Sequence, residues 1–270
     1  MWTRKEVKER GRESFKRNYW KCVIVALIIS ILAGGGAMTA NFSNGFVSGY
    51  RTEDDGTVTT MNDQVTDGLS DFVAETTDTV VVAGDKTAAV VVAVIVTLIV
   101  LFVVLAIVFV IEAFIINPLY VGGQRFFVKN LDEQASVSNL GYAFDNNYKN
   151  IVKTMFLKDL YVILWTLLFI VPGIVKMYEY HMIPYLLTDD PTMTDKQAFS
   201  ISKEMMRGNK WKTFVLDLSF LGWHLLGALT LGLVEAFYVM PYEYATNAAL
   251  YRKLLAARNQ NDIAGASDEL

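Results

Sequence analysis

The chain has 270 residues, 53% hydrophobic and 13% aromatic, and its mean hydropathy of +0.32 is too high for an average soluble domain, where about a quarter of residues are charged. The formal net charge is −4, and the single cysteine, Cys22, excludes an intramolecular disulfide and a cysteine-based zinc site. A membrane protein is the reading that follows.

Residues 1–21 hold eight Lys or Arg against three Glu and lie directly ahead of the apolar run CVIVALIISILA, residues 22–33. Thr3 and Glu6 have capping-box spacing, so 1–19 reads as a basic amphipathic cytoplasmic helix. Positive charge beside a span is retained inside, which places the N-terminus in the cytoplasm. A cleavable signal peptide competes for this start, because the apolar core is short and is followed by GGGA. Against it stand the long n-region and its three Glu; carried through to Ala40, the segment has about 19 residues, enough to cross.

Residues 41–86 hold nine acids against Arg51 and Lys86, a net of −7, and read as an extracytoplasmic loop. The stretch 87–111 then has 25 residues without a charge, more than the roughly 20 that span a hydrocarbon core. Residues 117–152 form a cytoplasmic linker in which Phe126, Phe127, Tyr142 and Phe144 suit the membrane interface.

The second half contains an internal repeat. KTMFLKDLYVILW (153–165) aligns with KTFVLDLSFLGW (212–223), Gly173 with Gly232, and the Pro-Tyr pair at 184 and 185 with Pro241-Tyr242. Each unit reads as a hairpin whose turn falls at the glycine, with Pro172 stopping the helix before it. A fainter third copy lies in the N-terminal half, where Asn18-Tyr19-Trp20-Lys21 resembles Asn147-Tyr148-Lys149 and Asn117-Pro118 closes the second span. Between the repeats, Thr194 and Gln197 have capping-box spacing, and Ala198, Ile201 and Met205 share a face opposite Lys196, Lys203 and Arg207. This linker, 189–212, is either a connector that shields the bundle floor or a docking helix for a cytosolic partner.

The fold class is therefore all-α: a polytopic membrane protein with six transmembrane segments in three helical hairpins and amphipathic cytoplasmic linkers. The segments are 20–40 and 88–116, 153–171 and 174–188, 213–231 and 233–251, followed by a polar tail, 252–270, with both termini cytoplasmic. The alternative has four spans, with Pro172 and Gly232 as kinks.

Charges in apolar segments are costly and usually face a bundle interior or each other. Asp159, Lys176, Glu179, Asp217 and Glu235 form a candidate polar pathway, with Lys176 as counter-charge and Asp159 and Asp217 as repeat-related gates. The structural alternative is that Lys176 and Glu179, spaced i,i+3, neutralise each other. Glu112, His181, His224 and Glu243 also fall in or near apolar segments. No GxSxG, Walker A or GxGxxG stretch is present, and neither histidine has a partner at metal-ligand spacing. Accordingly no catalytic, cofactor-binding or metal residue is nominated, and no cofactor is expected. Basic clusters without aromatic stacking platforms exclude nucleic acid and suit anionic lipid head groups.

The strings LWTLLFIVPGIVKMYEYHMIPYLLTDDP, SKEMMRGNKWKTFVLDLSFLGWHLL and VMPYEYATNAALYRKL carry a resemblance. Over residues 147–255 densely, and over the N-terminal helix more loosely, the chain resembles the bacterial integral-membrane family catalogued as domain of unknown function nine hundred seventy-five. The resemblance implies a bacterial cytoplasmic-membrane protein and brings no established activity; the acidic loop departs from the compact pattern of that family. Two functions follow as expectations. One is a non-enzymatic transport component or envelope accessory; the other is an assembly module that docks a membrane or cytosolic protein through its linkers.

Overall fold

The computed structural model describes residues 2–32, 51–52, 58–59, 71 and 86–268. The end of the first predicted span, 33–40, and nearly all of the acidic loop lie outside the described residues. The chain divides into one unit of residues 36–111 and another that combines 1–35 with 112–270.

The smaller unit contains a two-residue ladder, Arg51↔Thr59 and Thr52↔Val58, and one long helix. Numbering helices along the whole chain, α1 is Arg4–Arg17, α2 is Tyr19–Leu32, and this long helix, α3, is Lys86–Ile111. After Lys86 no charge interrupts α3, and its 26 residues reach about 39 Å at the helical rise. Among the described residues the run Val91–Asn130 is the one helix long and apolar enough to cross a membrane.

In the larger unit α1 starts where Thr3 accepts from the Glu6 amide at 3.3 Å, and ends with Lys16 and Arg17, cations that suit a helix C-terminus. Its buried stripe, Val7, Gly11, Ser14 and Phe15, recurs at three- and four-residue intervals, so a highly charged helix still buries one face. A π-turn, Glu112–Ile116, then leads into α4, Asn117–Asn130. A 3-10 turn, Val137–Gly141, and the short α5, Tyr142–Asp145, follow.

Next come α6, Tyr148–Leu168, and α7, Ile170–Glu179. Their antiparallel packing brings Gly173 against Thr166, where an added Cβ would lie 2.2 Å from Oγ1, and Lys176 over the Trp165 ring at 5.4 Å. The reversal is at Phe169, which adopts an extended conformation (φ −155°, ψ 135°), and not at Pro172-Gly173. Pro172 is the third residue of α7, where a missing N–H leaves no intrahelical bond unmade. Gly173 permits close helix approach rather than a special backbone angle.

Then α8, Ile183–Asp189, is buried from Ile183 to Thr188. The capping box at Thr194 and Gln197 starts α9, Asp195–Met206, whose buried face is Ala198, Ser202, Met205 and Met206. A break at Ser219-Phe220 separates α10, Lys210–Leu218, from α11, Leu221–Leu229. The chain turns back at Leu231 (φ 53°) and Gly232 (φ 85°) and enters a second π-turn, Glu235–Val239. It finishes in α12, Met240–Asp268.

One core cluster joins α1, α2, α4, α8 and α12 through residues such as Phe15, Cys22, Phe126, Phe127, Tyr185 and Tyr251. The turns that follow α6 and α11 stand clear of it. Leu167 is 84% exposed and Leu229 80%, so no described residue covers these apolar ends.

Candidate functional site

The charged candidates gather at the bases of the hairpins. Glu179 ends α7 with its side chain only 10% exposed, and it faces three ammonium groups. Lys176 from its own helix stands at 2.9 Å, Lys210 at the start of α10 at 2.5 Å, and Lys203 of α9 at 3.6 Å. The i,i+3 pair is present, but within a larger cluster that ties three helices together. Ser202 of α9 completes it by donating to the Glu179 backbone carbonyl at 2.8 Å.

Asp217 accepts from the Tyr178 hydroxyl at 2.8 Å, so it lies one residue away from this cluster. Its other oxygen is buried and has no hydrogen-bond partner among the described residues. Asp159 sits elsewhere: Asn117 donates to one of its oxygens at 2.7 Å and Lys158 pairs with it at 3.0 Å. Glu235 is in a third group, with the His224 Nδ1 at 2.9 Å, while the His224 Nε2 faces Glu243 at 3.4 Å. Among the described residues no hydrogen bond or ion pair links Asp159 or Glu235 to the Glu179 cluster. The five candidates are thus three separate groups. Gly232 is at the tip of its hairpin, Pro172 and Gly173 just beyond the tip of theirs.

Sequence reasoning missed a relationship between helix starts and prolines. Pro118 and Pro241 cannot donate a backbone hydrogen bond, which frees the carbonyls of Phe114 and Phe237 four residues earlier. Both carbonyls fall in the π-turns, where the helix register widens. Tyr148 donates its hydroxyl to Phe114 O at 2.6 Å, and Tyr19 donates to Phe237 O at 3.1 Å. Tyr19 opens α2 and Tyr148 opens α6, each directly after an asparagine. Lys210 opens α10 after Asn209, and it reaches Glu179, five residues ahead of Pro184.

These three contacts form a cycle. The start of α2 holds the approach to α12, the start of α6 holds the approach to α4, and the start of α10 holds the approach to α8. The segment ahead of each start follows the same order: α1 packs on α12, the 3-10 turn and α5 on α4, and α9 on α8. A readable signal existed. Glu-Ala-Phe occurs at 112–114 and again at 235–237, in each case with the glutamate six residues before a proline.

Residues 137–258 match the family described as protein of unknown function (DUF975). The matched stretch covers 122 of the 270 residues. It runs from the 3-10 turn into α12, so it contains both C-terminal hairpins and the Glu179 cluster, while α1 to α4 lie outside it. No curated protein and no solved structure matches the chain. Among the described residues no group of His, Cys, Asp and Glu is placed to hold a metal ion.

Proposed function

We propose that the protein is a non-enzymatic integral membrane protein of a bacterial cytoplasmic membrane, acting as an accessory or assembly body. Three helical hairpins enter the membrane from the cytoplasmic side, and both termini stay in the cytoplasm. The cyclic contacts at Tyr19, Tyr148 and Lys210 support reading the three hairpins as copies of one unit, each braced by the next. The linker α9 uses its apolar face within the body, which favours its role as a shield of the bundle floor. Its exposed Lys196 and Arg207 remain available to anionic lipid head groups or to an acidic partner.

One observation carries this reading: Glu179 is enclosed by Lys176, Lys203 and Lys210 from three helices. A carboxylate held in this way fixes helices against each other, which is what an assembly platform needs. A transport component is the second reading. It is favoured by buried polar atoms without a hydrogen-bond partner among the described residues, Thr154 Oγ1, Asp217 Oδ1 and Asn247 Oδ1, which water or a solute would satisfy.

Purification of the tagged protein from membranes, with Lys196→Glu and Arg207→Glu compared against wild type, tests the platform. Loss of co-purifying proteins or of anionic lipid supports it. Ion or solute flux in proteoliposomes that is abolished by Asp217→Asn, with an unchanged set of co-purified components, replaces it with the transport reading.

A further inference from the structure

The two C-terminal hairpins differ from α3 in how much helix they offer to lipid. On one side of the α6–α7 hairpin lies α9, whose Phe199 ring meets Tyr161 at 5.4 Å and Tyr180 at 4.8 Å, and whose Lys203 reaches Glu179. The outer face of α9 is charged and exposed at Lys196, Lys203, Glu204 and Arg207. Such a face stays in water or among head groups, because each charge at the bilayer centre costs roughly 2.5–3.5 kcal/mol on insertion scales. Hydrocarbon contact therefore begins above Tyr161 and Tyr180. From there to the reversal at Phe169 remain the last turns of α6 and the ten residues of α7, at most about 15 Å of helix, and Lys176 and Glu179 at its base take up the first turn.

The second hairpin repeats this geometry with a different flank. Lys8 of α1 donates to Ser219 O at 3.4 Å and sits 4.1 Å over the Phe220 ring, while Phe15 meets Tyr238 at 5.8 Å. The outer face of α1 is exposed at Arg12, Glu13, Lys16 and Arg17. Above Phe220 only the nine residues of α11 lead to the turn, about 14 Å. Aromatic rings mark the same level on both hairpins, Trp165 beside Lys176 and Trp223 against Tyr238 at 5.2 Å, as residues at a membrane interface do. Beyond them the exposed side chains are apolar apart from Thr166, whose hydroxyl donates to Val162 O: Leu167, Leu168, Phe169, Ile170 and Val171 on one tip, and Leu229, Leu231 and Leu233 on the other.

A hydrocarbon core is about 30 Å thick, so each hairpin has half the length that a crossing requires. We infer that the two C-terminal hairpins are re-entrant: their apolar tips enter the cytoplasmic leaflet, end near the bilayer midplane among acyl chains, and return. Non-helical backbone at that depth needs protection. Phe169 keeps its N–H bonded to Trp165 O at 3.0 Å, and Thr230 and Gly232 keep theirs bonded to Leu226 O and Gly227 O, so each turn meets most of its own needs. This inference rests on the proposed membrane location and replaces the four crossing segments expected over 153–251 with two wedges in a single leaflet.

The test uses the full chain with Cys22→Ser and, singly, Leu167→Cys or Leu229→Cys, exposed positions where substitution disturbs packing least. Phe169→Cys and Val171→Cys are second variants should either fail to fold. Nitroxide labels are read by collision with oxygen and with a water-soluble nickel chelate in vesicles of phosphatidylcholine and phosphatidylglycerol. Intact cells are labelled in parallel with a membrane-impermeant maleimide. Re-entrant tips give the oxygen-rich, nickel-poor signature of the midplane, and label in detergent but not from outside the cell. Labelling from outside means that the hairpins cross, which overturns the inference and leaves the membrane location intact. Nickel access at the tips together with failure to sediment with the vesicles removes the membrane location itself.

Discussion

Tyr19 donates its hydroxyl to the backbone carbonyl of Phe237 at 3.1 Å, across 218 residues of sequence. That carbonyl is free because Pro241, four residues further on, has no N–H to offer it. Tyr19→Phe is expected to lower stability by about 1 kcal/mol, the usual net worth of one hydrogen bond. Tyr148→Phe should behave alike through Phe114. Pro241→Ala restores a helical donor, so Tyr19→Phe should cost less in that background. Thermal unfolding in detergent reads all four chains; additive losses would mean that the hydroxyl does not serve the carbonyl.

Removing the Glu179 carboxylate leaves Lys176, Lys203 and Lys210 facing one another. Glu179→Gln should destabilise by about 2 kcal/mol, in the range for a hydrogen bond to a charged group in a largely buried place. Lys210→Met added to it should cost less than the sum of the single changes, because the second change removes part of the repulsion left by the first. A double-variant cycle in denaturant shows the sign.

Leu231 holds a left-handed conformation, φ 53°, on an exposed hairpin tip. A side chain there costs roughly 1–2 kcal/mol relative to the right-handed form. Leu231→Gly should therefore raise the melting temperature by an amount equivalent to about 1 kcal/mol, offset in part by the greater freedom of glycine when unfolded. Gly232→Ala, at φ 85°, should lower it. Equal melting temperatures for both variants would refute this assignment of strain.

Two linker carboxylates make the joint between α8 and α9 sensitive to acid. The Lys153 ammonium, 3.2 Å away, holds Asp195 below its ordinary value, and hydrogen bonds from Thr192 do the same for Asp190. Both folded values are depressed, so the folded state binds fewer protons than the unfolded state. The stability they contribute is complete above the unfolded value of about 3.9 and is lost as pH falls through the folded values. Asp195→Asn should flatten the acid limb of a stability profile while leaving neutral pH nearly unchanged, since the pair is exposed.

The local signals were legible because they are short-range. Thr194 and Gln197 announced a capping box, and the glycine at 232 marked a reversal, because both depend on a few adjacent residues. Pro172 was misleading for the same reason. A proline within the first turn of a helix looks, in sequence, like one that ends the helix before it. The break between α10 and α11 has no glycine or proline to mark it. Distance hid the rest: nothing near Glu179 in sequence points to Lys203 or Lys210, and nothing near Tyr19 points to Phe237. The candidate pathway was drawn from residues of suitable charge. Their division into three groups depends on which helix lies beside which, and that is settled only when the chain has closed.

The order in which the ring of contacts closes has a consequence for synthesis. Tyr148 meets Phe114 and Lys210 meets Glu179 over short separations, so these joints can form while the chain is still emerging from the ribosome. Tyr19 waits for Phe237, 218 residues further on, and α1 waits for α12. A chain that stops before Pro241 leaves the buried stripe of α1, Val7, Gly11, Ser14 and Phe15, exposed on an otherwise charged helix. Helix α1 thus reports whether synthesis has passed α12, and a copy lacking that helix would present quality-control proteases with the apolar side chains of Val7 and Phe15 that a copy containing it conceals.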